Sequence, residues 1–153
     1  MSFDGSKPKA LVAQFHDVYG MPNKVAEDST PSVDIDRIHL RMRLISEEFQ
    51  ELVEAVYGQR AGQQVSAALE DLPDEDARDT VEAADALADM VYVIYGMALE
   101  CGIDLDAVLA EVQRSNLSKL MPDGSVKRRD DGKILKGPNF SEPDISSILF
   151  GSK

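Results

Sequence analysis

The stretch Ala83 to Leu99, "AADALADMVYVIYGMAL", constrains the fold more than any other part of this chain, because every position is apolar, Gly or Tyr except Asp85 and Asp89. A segment of that length with apolar residues on all sides reads as a helix that must be covered all round, hence a central one. The two aspartates argue against a membrane span. Elsewhere apolar residues recur at three and four positions and strand-type alternation is nearly absent, so the expectation is an all-α fold, a four- to five-helix bundle.

Start and stop signals place the elements. A first helix is expected from about Pro8 to Tyr19, halted by Gly20 and Pro22, and a long second one from Asp34 or Asp36 to Tyr57, ended by Gly58. A short third helix covers Gln63 to Leu69 before the break "EDLPDED". The fourth runs from about Asp76 to Cys101, and the fifth from behind Asp104, a good N-cap, to near Lys119. From Met121 onward two Asp-Gly turn signals and two Gly/Pro breaks predict a hairpin, loops and a last short helix. At 153 residues one domain is expected, with residues 1–120 forming a helical catalytic bundle and 121–153 a basic C-terminal extension of the same domain.

Charge divides along that boundary. Between Glu47 and Glu111 there are 17 acidic residues and two basic ones, Arg60 and Arg78, whereas eight basic residues, half the total, lie from Arg114 onward. The net charge of -12 argues against binding a nucleic-acid backbone. The single Cys101 has no internal disulfide partner, is expected to be a buried small hydrophobe, and fits a reducing cytoplasm. The opening "MSFDGSKPKALVAQF" carries no charged-then-apolar signal pattern.

In "ISEEFQELVEAV" the second helix bears an apolar stripe, Ile38, Met42, Ile45, Phe49, Leu52 and Val56. Glu47, Glu48 and Glu51 fall within one sector of about 100° on another side. Their row continues as Leu44 and Leu40 one and two turns earlier and as Ala55 one turn later, so both sides of this helix are expected to be covered. On the fourth helix Glu82 and Asp85, three apart, share a face, and Asp89 follows one turn on. Unpaired buried carboxylates would cost several kcal/mol each. No Lys or Arg lies between Ile45 and Gln59 or between Asp79 and Gln113. A divalent cation with all-oxygen ligands, Mg²⁺ or else Mn²⁺, is the expected partner of Glu48, Glu51, Glu82 and Asp85. Glu54, Glu70, Asp71, Asp74, Glu75 and Asp76 read as ordinary surface acids.

Glu-Glu-x-x-Glu at Glu47-Glu48-Phe-Gln-Glu51, followed by Glu-x-x-Asp at Glu82-Ala-Ala-Asp85, resembles the signature of the all-α nucleoside triphosphate pyrophosphohydrolases. That superfamily includes MazG, the phosphoribosyl-ATP pyrophosphatases and the dimeric dUTPases. With "HLRMRLISEEFQELVEAV", "VEAADALADMVYVIYGMALECGIDLDAVLAEVQRSNLSKL" and "DGKILKGPNFSEPDI", the chain looks similar to a MazG-like subgroup with dUTPase-type activity. The gap between the two acidic pairs is longer than in compact MazG domains, and the basic tail is an addition to them.

The resemblance implies that Glu48, Glu51, Glu82 and Asp85 hold two or more Mg²⁺ ions. It also implies a catalytic role for Glu47 and Glu48, with Glu47 orienting or deprotonating the attacking water. Asn116 and Lys119, three apart at the end of the fifth helix, look like phosphate ligands by the same resemblance, with Lys133, Lys136 and Asn139 closing over the site. By analogy Gln14 and His16 serve base recognition, whereas Phe15, in step with Leu11 and Val18, reads as core. The implied activity is Mg²⁺-dependent hydrolysis of a nucleoside triphosphate, dUTP first, to a monophosphate and pyrophosphate in nucleotide-pool house-cleaning. The implied assembly is a homodimer or a dimer of dimers. Alternatives are phosphoribosyl-ATP pyrophosphohydrolase and a non-catalytic acidic metal-binding or interaction module. Neither histidine forms a Glu-x-x-His pair, which speaks against a ferritin-like di-iron site, and no Walker-type glycine loop is present.

Overall fold

The computed structural model of the chain describes residues 7–130 and 132–151. Six helices follow one another: α1 (Pro8–Val18), α2 (Ile38–Tyr57), α3 (Gln59–Glu70), α4 (Thr80–Glu100), α5 (Leu105–Leu117) and α6 (Ile145–Phe150). The extended pairing among the described residues is a single antiparallel bridge between Arg128 and Ile134, so the fold is all-α with a hairpin in its tail. No single helix among the described residues is long and apolar enough to cross a membrane. The residues group into two compact units, one of 1–29 with 89–153 and one of 30–88.

In the unit of residues 30–88, α3 packs back along α2. Gly58, at φ +99, ends the first helix and accepts the N–H groups of Ala61 and Gly62 to begin the second. Hence α3 starts at Gln59, four residues before the expected Gln63. Its Gly62 lies against Glu54, where a Cβ would meet the Glu54 Cβ at 2.9 Å. The start of α2 falls at Ile38 instead of Asp34 or Asp36. The Asp34 N–H is taken by Ser32 Oγ (3.0 Å) and the Val33 N–H by Thr80 Oγ1 (3.2 Å), which holds this segment in a turn against the beginning of α4. The true N-cap of α4 is Asp79, whose Oδ1 accepts the N–H groups of Val81 (3.1 Å) and Glu82 (3.0 Å). Upstream, Arg78 grips Asp74 with both guanidinium ends (2.8 and 2.9 Å) and, with the Asp76 N–H, holds the Asp74 carboxyl well below the usual carboxylate range. That bidentate clamp fixes the chain just ahead of the helix.

In the other unit α1 packs on α5, and α5 on α6. Tyr19, only 1% exposed, sits at the end of α1 with its ring 4.5 Å from that of Phe15 and its hydroxyl donating to the Asn116 carbonyl (2.5 Å). Burial pushes the Tyr19 phenol up, so it stays a donor. Asp104 caps α5 by accepting the Ala107 N–H (3.2 Å), as expected of it.

The helix expected to be central keeps most of its apolar side chains exposed among the described residues. Along α4, Val81, Leu87, Val91, Tyr92, Val93 and Leu99 are all exposed, Tyr92 by 82%, and Ala98 near the end is the buried apolar residue. On α2, Met42, Phe49, Leu52 and Val56 of the predicted stripe are likewise exposed. Cys101 is exposed too, at the C-terminal end of α4, where the expected burial is absent. The reason is arithmetic in character: an apolar stripe says that a helix face needs a partner, and α3 supplies one for only part of α2.

Candidate functional site

Glu47, Glu48 and Glu51 sit within little more than one turn of α2, and Glu51 and Glu47 both act on Glu48. The Glu48 carboxyl is raised above the usual range, first by partial burial, then by the like charges of Glu51 and Glu47. Glu47 does have a cationic neighbour, Arg43 one turn earlier, with Nε 3.8 Å from Oε1. The expectation of a row without any local cation is therefore corrected at this position, because i to i+4 spacing brings in an arginine that precedes Ile45. On α4, Glu82 occupies the first turn behind the Asp79 cap, and Asp85 follows three residues later.

Full burial, the premise from which the cation was argued, is not met within one chain: Glu51, Glu82 and Asp85 are exposed, and Glu48, though partly desolvated by its surroundings, keeps exposed surface as well. Among the described residues no group of three or more His, Cys, Asp or Glu side chains stands close enough to hold a metal ion. Each pair offers the hard oxygen donors that suit Mg²⁺, while the single chain does not gather the two pairs into one cage. Asp85 shares a face of α4 with Val81, Ala88, Tyr92 and Leu99, all within a sector of about 60°. Val81, Tyr92 and Leu99 are among the most exposed apolar residues of the protein.

The expected phosphate ligands come from the unit of residues 1–29 and 89–153. Lys119, following the C-cap of α5, has its ammonium pKa lowered, first by burial and then by Lys136 and Lys133, with Glu142 acting against them. Lys133 and Lys136 are therefore near enough to Lys119 to disfavour its charge. Lys136 Nζ bonds to Glu142 Oε1 (2.9 Å) and lies 4.2 Å from the centre of the Phe140 ring. Asn116 is half-buried, with its carbonyl oxygen held by Tyr19, and Asn139 is exposed in the loop after Lys136.

What brings Lys133 and Lys136 to α5 is a set of tail anchors that sequence reasoning missed. The Gly137 N–H donates to the Lys119 carbonyl (3.0 Å), and a Cβ built on Gly137 would lie 2.5 Å from the Leu120 carbonyl oxygen. Only glycine tolerates that approach, since the obstacle is backbone. Further along, Ser115 Oγ, on a side chain almost fully buried, donates to the Ser141 carbonyl (2.8 Å), and Ser118 Oγ accepts the Ser141 N–H (3.0 Å). Glu111 accepts the Asp144 N–H (2.8 Å) together with two hydrogen bonds from the Arg114 guanidinium, and that guanidinium, then the N–H, push its carboxyl down to about 2. The Arg128 guanidinium ties the hairpin to the carbonyl of Tyr19.

Gly137→Ala is expected to undock the tail at a cost of about 1–3 kcal/mol. Limited proteolysis should then cut near the lysine loop at a rate several-fold above wild type, and unaltered protection would contradict the role given to this contact.

Of the residues expected to read the base, Gln14 has its Oε1 bonded by Gln113 Nε2 (3.0 Å), which also donates to the Leu11 carbonyl (2.9 Å). His16 uses Nδ1 on the Pro22 carbonyl (2.7 Å), closing the loop that follows α1. Gln113 was not foreseen, although it precedes Asn116 by three residues and so lies on a neighbouring side of α5. A separate hollow of about 310 Å³ at the α4–α5 corner, lined by Tyr95, Ala98, Leu99, Ile103, Leu105 and neighbours, holds none of these residues.

An all-α chain with Glu-Glu-x-x-Glu on one helix, Glu-x-x-Asp on a later one and a lysine cluster in its tail defines a class, that of the helical nucleotide pyrophosphohydrolases. The chain matches the phosphoribosyl-ATP pyrophosphohydrolase family over residues 12–116, about two thirds of its length, and belongs to that family. Its fold is that of a solved structure, a proposed NTP pyrophosphohydrolase from Exiguobacterium sp. 255-15, at a TM-score of 0.67 and 24% identity over 92% of this chain and 90% of the other. Among curated proteins none matches the chain.

Proposed function

We propose that the protein is a Mg²⁺-dependent nucleoside triphosphate pyrophosphohydrolase that converts dUTP to dUMP and pyrophosphate, in the cytoplasm, as part of nucleotide-pool house-cleaning. The observation that supports the pyrophosphohydrolase class is the family match over residues 12–116, which spans Glu47, both acidic pairs and Asn116, while the choice of dUTP rests on the resemblance of the sequence to the dUTPase-type subgroup. The gathering of Lys133 and Lys136 near Lys119 supports the reading as well, because an ammonium group crowded by two others is stabilised by a polyphosphate.

In the proposed reaction a water oxygen bonds to the α-phosphorus as the bond from that phosphorus to the bridging oxygen breaks. The water proton passes to the Glu47 carboxylate, and pyrophosphate leaves with the bridging oxygen. Glu48, Glu51, Glu82 and Asp85 would hold Mg²⁺, with Mn²⁺ as a substitute, which when bound neutralises phosphate charge and acidifies water. Lys119, Lys133 and Lys136, with Asn116 and Asn139 as amide donors, would take up the charge of the phosphate chain. Gln14 and His16 would flank the base. Assembly as a homodimer or dimer of dimers is part of the proposal, supported by the exposed apolar faces of α2 and α4.

A second reading, hydrolysis of phosphoribosyl-ATP, is favoured by the description of the matched family. Pyrophosphate release over a panel of dUTP, dCTP, dTTP and phosphoribosyl-ATP with Mg²⁺ decides between them. Turnover of dUTP above the others is expected, and turnover of phosphoribosyl-ATP alone would transfer the assignment. Absence of turnover with every compound would leave a metal-binding or interaction module instead.

A further inference from the structure

We infer that Gln113 is a positioning residue that fixes the polarity of the Gln14 amide, making it a hydrogen-bond donor toward the base and so selecting a keto oxygen over an amino group. The inference rests on the nucleotide reading above and adds to it a determinant of base choice.

An isolated glutamine amide can turn over, exchanging its oxygen and nitrogen, and so has no fixed polarity. Here a chain of donors and acceptors removes the freedom, starting from a backbone group. The Leu11 carbonyl can only accept, so the Gln113 atom 2.9 Å from it must be the nitrogen. That nitrogen has a second hydrogen, and its other neighbour at 3.0 Å must accept as well, which makes that neighbour the oxygen of Gln14. The Gln14 NH₂ is then the end of the amide directed away from Gln113. Both bonds are partly buried, where an unmade partner costs more than at an open surface.

The pair also stands in the right part of the unit. Gln113 precedes Asn116 by about 4.5 Å along the axis of α5, on neighbouring sides of the helix, and the lysine-bearing loop begins just beyond. A fixed NH₂ can bond the O4 acceptor of uracil or thymine and meets only another donor at the N4 amino group of cytosine.

Titration calorimetry with dUMP and dCMP, in the presence of Mg²⁺, reads this preference without requiring turnover. The wild type is expected to bind dUMP about tenfold more tightly than dCMP. In Gln113→Glu the new carboxylate cannot donate. The Gln14 amide then turns its NH₂ toward that carboxylate and its oxygen outward, and the preference is expected to move about tenfold or more toward dCMP. Gln14→Glu, which keeps Gln113 unaltered and replaces the outward donor by an acceptor, is expected to move it the same way and guards against misfolding of the first variant. If Gln113 is only a clamp between α1 and α5, both affinities fall together and their ratio stays put, which overturns the inference. So does a wild type that binds neither monophosphate or favours dCMP. Failure of the pyrophosphohydrolase reading is a separate result, an absence of pyrophosphate release from triphosphates, and it can occur with the base preference intact.

Discussion

Glu51→Gln and Asp85→Asn should each lower both Mg²⁺ affinity and pyrophosphate release, whereas Glu47→Gln should lower release by roughly 100-fold or more with Mg²⁺ affinity nearly unaltered. The separation follows from chemistry. Glu51 stands one turn from Glu48, whose carboxyl is raised by its neighbours, so a cation placed there relieves a repulsion already present in the protein. Replacing Glu51 by an amide takes away one charge and one strong oxygen ligand together. Glu47 is tied instead to Arg43, and in the proposed reaction it accepts a proton, a role an amide cannot fill. Calorimetry with Mg²⁺ and a coupled pyrophosphate assay on the same three variants checks the distinction. Equal losses of binding and turnover in all three would show that the acidic row acts as a unit and that no residue in it serves as base.

Local chemistry explains what could be read ahead of the structure. The end of α1 at Gly20 and Pro22, the end of α2 at Gly58 and the Asp104 cap of α5 are written in single residues whose backbone preferences admit few alternatives. Where two signals compete, sequence favours the wrong one: Asp76 reads as the start of α4, but its N–H is bound by Asp74 and its φ of +57 places it in a turn, leaving Asp79 to cap the helix. The clustering of Lys119, Lys133 and Lys136 was expected from the resemblance, though the contacts that produce it were not. Ser115, Gly137 and Glu111 act on backbone groups 18 to 33 residues away, and no local pattern announces such a partner. The Gln113 to Gln14 bond, across 99 residues, is the same kind of contact. Burial was the largest error. Periodicity reports that a face is apolar, and it is silent on whether this chain or another one covers it.

Tyr92→Glu should convert the proposed dimer into monomers at micromolar concentration and remove most activity with it. Tyr92 is 82% exposed on α4, with Val81 and Leu99 exposed by 77% each on the same side. Three large apolar residues on one helix face exceed the scattered apolar exposure expected of a lone soluble chain. A charge placed at the centre of that face costs several kcal/mol if a second copy buries it, enough to weaken association 100-fold or more. Asp85 lies on the same side of the helix, so a partner that covers Tyr92 also withdraws Asp85 from bulk water, restoring the burial that makes a cation necessary. Light scattering of wild type and variant, each with and without Mg²⁺, separates the possibilities. A dimer that Mg²⁺ tightens in the wild type and that the variant lacks is the expected pattern. A monomeric wild type with full activity would detach catalysis from assembly, and the acidic pairs would then have to meet their cation on a single chain.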